Sequence, residues 1–342
     1  MKTISIISPC YNEAETIRAC RKAVADLFAA GGPLSNYRHE HIFSDNASTD
    51  GTVDILRAMA AEDPAMQVIL NARNYGPFRS NFNALRGASG DAILVSLPID
   101  LQDPPEMIPE FVRLWEAGFE IIAGARSNRQ ERPAMRTSRA IFYRIVNMLS
   151  EFEMPVDVGE FQLIDRKVWQ AVVNHDDHYP YIRGIIASVG FRRVIVPYNW
   201  ASRKQGISKN NLPRLLDQAM NGIFSFTTAP LRACTLVGLG LAALSMIYAL
   251  AAIICYFALP GYAPRGMTTV IAALFSLSGI QLAFIGILGE YVMSIHAQVR
   301  RRPLVVERER INMAAVTTIV PDDDAAIEAN SVHDLQRRIA AG

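Results

Sequence analysis

The sequence predicts an α/β fold with a mostly parallel sheet, followed by an interfacial helix and two C-terminal transmembrane helices. Three observations predict it. Short apolar runs alternate with helical stretches as far as Ala123. The polar clusters of that region fall just after the apolar runs, where strand-to-helix turns belong. Further on, charge disappears from two long stretches near the C-terminus.

Ile4 to Ile7 reads as a buried strand, followed by a helix from about Glu13 to Ala30. His41 to Phe43 is a second strand, with a helix opening near Asp50, and Gln67 to Leu70 a third, leading to a helix through Asn83 and Leu85. Ala92 to Leu97 is a fourth, with a helix after Pro104 and Pro105, and Phe119 to Ala123 a fifth. Strands and helices alternating at this spacing pack as a sheet covered on both faces. Such sheets bind ligands beyond the carboxyl ends of their strands. The clusters Pro9 to Glu13, Asp45 to Thr49 and Asp100 to Asp103 sit there. Past Arg126 the pattern loosens: Arg126, Arg129, Arg132, Arg136 and Arg139 with Pro133 read as a basic loop running into a helix.

No charged residue occurs from Ala233 to Leu259 or from Gly266 to Gly289. Each run exceeds the roughly 20 residues that a bilayer-crossing helix needs. Arg203, Lys204, Lys209 and Arg214 precede the first run and Arg300, Arg301 and Arg302 follow the second, while Arg265 stands alone between them. The positive-inside rule then keeps both flanking segments in the cytoplasm. Leu212, Leu215, Leu216, Met220, Ile223 and Phe224 recur at helical spacing, as in a helix lying in the membrane interface. The expected organisation is a cytoplasmic α/β domain at 1–209, an amphipathic helix at 210–230, spans at 231–260 and 266–294, and a cytoplasmic tail at 295–342. A net charge of +1 gives no reason to expect nucleic acid as a partner. Four cysteines, two of them in the first apolar run, suggest no disulfide framework. Self-association into a homo-oligomer is left open.

Asp100 and Gln102, two residues apart after the fourth strand, can both turn oxygen toward one hard cation, Mg2+ or Mn2+, that also bridges substrate phosphates. Asp103 before two prolines fits a helix N-cap better than a ligand. Asp45 at the end of the second strand can accept hydrogen bonds from a base, with Ser48 or Thr49 capping the next helix. Arg73 beside Asn74 can reach donor phosphates, though a lone Arg there is more often a solvated charge. Arg203 to Lys209 gathers cations and the Ser208 hydroxyl around Gly206, which suits a phosphate or, alternatively, anionic lipid heads.

At these residues the sequence resembles the family 2 glycosyltransferases of the GT-A fold, and within them the polyprenyl-phosphate branch. Ser8 to Glu13 is similar to that family's Pro-x-Tyr-Asn-Glu element, Asp45 to Thr52 to its base-contacting segment, and Asn71 to Gly76 to its Arg-Asn-x-Gly loop. Asp100 to Glu106 matches DLQDPPE, Arg203 to Lys209 matches the Arg-x-x-Gly-x-Ser-Lys acceptor element, and Gly289 to Tyr291 with Arg302-Pro303 matches the end of the last span. Two segments depart from the pattern. Pro98-Ile99-Asp100 stands where the family has Asp-Ala-Asp. Asp157 to Leu163 carries Glu160 and Gln162 where the family has Asp and Arg.

The resemblance implies inverting transfer of a sugar from a nucleoside-diphosphate donor to a polyprenyl phosphate, the undecaprenyl one by its bacterial members, at the cytoplasmic membrane face. It implies Pro9, Tyr11, Glu13, Asp45, Arg73 and Asp100 as donor-binding residues, and Asp100 and Glu160 as catalytic. Arg126, Arg129, Arg203, Ser208 and Lys209 become the acceptor-phosphate cations and hydroxyl, with the loop of Arg126 and Arg129 closing over the acceptor. A phosphomonoester, with a second pKa of about 6, needs little deprotonation to attack. Two rival readings are a processive polysaccharide synthase, which lacks support because no Gln-x-x-Arg-Trp occurs, and a catalytically weak relative acting as a scaffold.

Overall fold

The computed structural model describes residues 1–127, 154–155, 157–175, 180–200, 229–258, 266–299 and 303–313. The expected strands are all present. They are β1 (Thr3–Cys10), β2 (Arg38–Asp45), β3 (Met66–Asn71), β4 (Ala92–Leu94) and β5 (Ile121–Ser127). Between them run α1 (Ile17–Phe28), α2 (Thr52–Glu62), α3 (Pro77–Arg86), a 3-10 turn (Pro105–Met107) and α4 (Ile108–Glu116). Though β4 is formally short, Val95 N–H still donates to the Gln162 carbonyl and Leu97 N–H to that of Ile7, so extended backbone reaches the expected end.

Three strands were not foreseen: β6 (Val158–Asp165), β7 (Arg193–Asn199) and β8 (Glu307–Ile311), the first two separated by α5 (Arg166–Val173) and α6 (Ile182–Ser188). The sheet order is β7-β5-β6-β4-β1-β2-β3-β8. Strands β1 to β5 and β7 run one way, while β6 lies antiparallel between β4 and β5, and β8 runs antiparallel along β3. The sheet is therefore mostly parallel, as expected. Within the segment read as a tail from 295, Glu307–Ile311 forms the β8 edge strand. Short charged strands such as Glu307–Ile311 carry little apolar signal, because an edge strand buries little.

Alternation along β1 explains the layering. Ile4 and Ile6 face α1, α2 and α4, while Ile7 faces α3, α5 and α6. In α4, Ile108, Phe111, Val112 and Trp115 recur at helical spacing and are buried, each stabilising by roughly 1.5–3 kcal/mol. Pro77 at the first turn of α3 fixes φ where its missing N–H costs nothing. Asp165 caps α5 by accepting from Lys167 N–H and also accepts from Trp115 Nε1 at 2.8 Å, joining β6 to α4.

Beyond this domain lie α7 (Ala229–Ala258) and α8 (Met267–Val299), helices of 30 and 33 residues over the two charge-free runs. Taken over the described residues alone, no helix is long and apolar enough to cross a membrane. The interfacial helix expected at 210–230 falls almost wholly outside the described residues.

Candidate active site

The carboxyl ends of β1, β2 and β4 form one edge of the sheet, with Cys10 paired to Asp45 in register. Two loops there are laced together by side chains. Asn12 N–H donates to Ser48 Oγ at 2.8 Å, and Thr49 N–H donates to Asn12 Oδ1 at 2.8 Å. Glu13 N–H donates to Thr52 Oγ1 at 3.0 Å, and Ala14 N–H to Asp50 Oδ2 at 3.2 Å. Asn12, Ala47 and Leu101 have φ of 57°, 61° and 53°. A left-handed residue other than glycine costs about 1 kcal/mol or more, and such strain collects where a surrounding structure holds it for function.

Pro9, Tyr11 and Glu13 thus line the strand end that the sequence assigned to the donor. Asp45 is 1 % exposed and turns inward: Ser48 N–H donates to its Oδ2 at 3.0 Å and Ser48 Oγ–H to its Oδ1. Burial pushes its carboxyl above the usual range, with the Ser48 bonds opposing. Ser48 therefore braces Asp45 rather than capping α2, whose N-cap is Gly51 at φ 82° with no side-chain bond. Arg73 lies exposed over the Tyr75 ring, 4.0 Å from its centroid. Asn46, which sequence reasoning missed, ties that loop to β2. Its Nδ2 donates to Asn74 Oδ1 at 3.1 Å and its Oδ1 accepts from Tyr75 N–H at 2.9 Å.

Asp100 and Gln102 flank left-handed Leu101, and Gln102 N–H donates to Asp100 Oδ1 at 3.3 Å. Asp103 overturns its expected role. The residue before the 3-10 turn is Pro104 with no side-chain cap bond, and the Asp103 carboxylate, 1 % exposed, serves other partners. Its Oδ2 accepts from Arg126 Nη2 at 3.0 Å and its Oδ1 from Tyr198 Oη at 2.5 Å. Arg126, expected on a closing loop, instead lies on β5 and is fixed by this ion pair. Burial opposes its charge, but Asp103 and Tyr198 more than compensate and raise its pKa.

Glu160 on β6 faces the same region. Burial raises its pKa against the pull of Arg183 and Arg126. Gln162 Nε2 donates to the Gly159 carbonyl at 2.7 Å, so the residue replacing the family's cation serves the backbone of β6. Arg129, Arg203, Ser208 and Lys209 lie outside the described residues. Tyr198 and Arg183 were missed because only tertiary pairing of β5 with β7, and of α6 with β6, brings them here.

A glycosyl transferase family 2 profile matches residues 5–172. The chain is 35% identical over 301 residues to the SfII prophage-derived bactoprenol glucosyl transferase of Shigella flexneri, covering 88% of this chain and 96% of that one. It is 34% identical over 309 residues to the bactoprenol glucosyl transferase of Shigella phage SfV, covering 90% and 99%. A mannosyltransferase structure from Pyrobaculum calidifontis, in complex with GDP-Man and Mn2+, is a distant likeness at 17% identity and TM-score 0.44, covering 88% of each chain. The family match and these relatives make this α/β protein a glycosyltransferase. The chain belongs to glycosyl transferase family 2.

Proposed function

We propose that this glycosyltransferase moves a sugar, with inversion, from a nucleoside-diphosphate donor to a polyprenyl phosphate, with undecaprenyl phosphate as the acceptor to try first. The observation that carries the reading is the likeness to proteins named bactoprenol glucosyl transferases, which spans 301 residues and so extends well past the sheet domain. The geometry is in accord: the laced strand ends suit a nucleotide, and beside them Arg126 offers a fixed guanidinium for an anionic acceptor. A dianionic phosphate attacks unaided, so positioning and charge neutralisation are the protein's tasks. Glu160, drawn on electrostatically by Arg183 and Arg126, would orient the acceptor or the sugar.

Among the described residues no group of three or more His, Cys, Asp or Glu side chains could hold a metal ion. A Mg2+ or Mn2+ ion does not demand one, since such ions are commonly held by one or two carboxylates together with substrate phosphates. The oxygen donors of Asp100 and Gln102 fit that set, with the donor diphosphate completing it. When bound, the ion would supply Lewis-acid neutralisation of the leaving diphosphate.

The proposed setting is the cytoplasmic membrane, crossed twice. At 1.5 Å per residue, α7 and α8 are about 45 and 50 Å long, against about 30 Å of hydrocarbon. The sequence is free of charge from Ala233 to Leu259 and from Gly266 to Gly289, over most of both helices. Strand β8 supports an even number of crossings, because it returns the chain after α8 to the sheet of β1. The test is transfer from a panel of nucleotide sugars to undecaprenyl phosphate in detergent, with and without Mn2+. One donor should give a metal-dependent glycolipid that Asp100→Ala abolishes. No product from any donor, with the protein folded and lipid present, would sink the reading and favour a membrane-bound scaffold.

A further inference from the structure

We propose that Asp103 and Tyr198 are positioning residues that decide which edge of Arg126 meets the acceptor phosphate; this rests on the function just proposed. The three side chains come from distant parts of the chain: the loop after β4, the end of β5 and the end of β7. Strands β5 and β7 pair with Arg126 directly opposite Tyr198. The hydrogen bonds close a triangle. Arg126 Nη2 donates to Asp103 Oδ2 at 3.0 Å, Arg126 Nε donates to Tyr198 Oη at 3.2 Å, and Tyr198 Oη–H donates to Asp103 Oδ1 at 2.5 Å.

The triangle consumes one edge of the guanidinium, the edge formed by Nε and Nη2. The other end, Nη1 with the second Nη2 hydrogen, makes no hydrogen bond among the described residues. An arginine presents its donors in a rigid planar fork, so fixing one edge fixes the direction of the other. Gly159 lies under the plane, where an added Cβ would stand 3.4 Å from Nη2, and the Trp200 ring lies 5.2 Å from the guanidinium carbon. A flexible cation would bind a dianion in many poses, whereas this one offers two parallel N–H groups in a single direction.

Burial decides why such a pair is present. Replacing a buried ion pair by apolar residues is often neutral or stabilising, so stability alone is a weak reason to keep one. Asp103 also neutralises the charge of Arg126, which lowers nonspecific attraction for any anion. What the arrangement supplies is orientation, and that is the property an attacking phosphate oxygen requires.

The experiment measures KM separately for undecaprenyl phosphate and for the nucleotide sugar in the full-length enzyme. In Asp103→Asn the lipid KM should rise about tenfold, as expected when a charge-assisted hydrogen bond is lost, with the donor KM unchanged. Tyr198→Phe, which removes one hydroxyl, should raise lipid KM by roughly threefold, and Asp103→Glu should recover part of the Asp103→Asn loss. Should Asp103→Asn fail to fold, Tyr198→Phe carries the test. A lipid KM within error of wild type in a folded variant overturns the inference. So does a parallel rise in both KM values, the signature of a merely structural role. An inactive wild-type enzyme overturns the transferase reading and this inference together, whereas an active wild type with an indifferent Tyr198→Phe overturns only the inference.

Discussion

The two halves of the sheet are built on different plans. From β1 to β4 the strands are parallel, joined by helices, and their carboxyl ends are held by many ties within and between neighbouring loops, such as Ser48 to Asp45 and Thr49 to Asn12. From β6 to β7 the order departs from the sequence, one strand is reversed, and Arg126 is held by residues 23 and 72 positions away. The first half distributes its constraint over many hydrogen bonds and three left-handed residues. The second concentrates it in one buried charge. The difference teaches that loops can be held by spreading ties over several side chains, whereas aiming one cation takes an ion pair and a hydroxyl on a single guanidinium.

The largest expected effect lies on the donor side. Asp100→Ala should lower kcat for transfer by 10²-fold or more, in the range found when charge-stabilising groups are removed, while the protein melts as before. An active Asp100→Ala enzyme would break the assignment of that half to donor chemistry. Next comes Gly124→Ala on β5, where a Cβ would lie 2.9 Å from the Phe161 carbonyl and from Tyr198 Cε1. Overpacking of this kind costs about 1–3 kcal/mol, so denaturant unfolding should register a clear loss. Asn12→Ala should cost about 1 kcal/mol, since it removes the acceptor for Thr49 N–H and leaves a left-handed alanine. Its donor KM should rise and its lipid KM should not, which sharpens the contrast.

Acid should act more weakly, on the outer edge of the donor half. Burial opposes the charge on Glu307, but hydrogen bonds from Arg310 and Asn83 outweigh it and hold its pKa below the ordinary value. A carboxyl depressed on folding stabilises above its unfolded pKa, about 4.3, and loses that contribution as pH falls through the folded value. With the Glu307 side chain 21 % exposed, solvent screens part of the effect and the loss should stay under about 1 kcal/mol. Faster amide exchange in β8 below about pH 4, suppressed in Glu307→Gln, is the check. Smallest of all, Gly159→Ala brings its Cβ only into ordinary contact with Arg126. Stability should stay within about 0.5 kcal/mol of wild type.

What was legible in the sequence follows this division. Ile4 to Ile7 and His41 to Phe43 announce themselves as buried strands because both sheet faces are covered, and the polar turns after them point to the site. The β6 and β7 strands carry Glu160 and Tyr198, but neither the reversed insertion of β6 nor the edge position of β7 leaves a periodic mark. Asp103 shows the limit most plainly. A carboxylate before two prolines looks like a cap, and only the approach of β5 and β7 reassigns it to Arg126 and Tyr198. Glu307 to Ile311 was missed for a related reason: a charged edge strand resembles a tail until it finds β3.

That edge strand also sets an order of events for the chain as it is made. From the time Met66–Asn71 leaves the ribosome until Glu307–Ile311 follows, the outer edge of β3 has no partner of its own. Unpaired strand edges are templates for association with other chains. The late arrival of β8, with Ala72 N–H donating to the Val306 carbonyl and Asn312 Nδ2 reaching the Ala60 and Met66 carbonyls, covers that edge. A shortened protein ending before residue 300, the natural design for a soluble catalytic fragment, would therefore keep the pocket residues and lose the seal, and its first failing would be aggregation rather than inactivity.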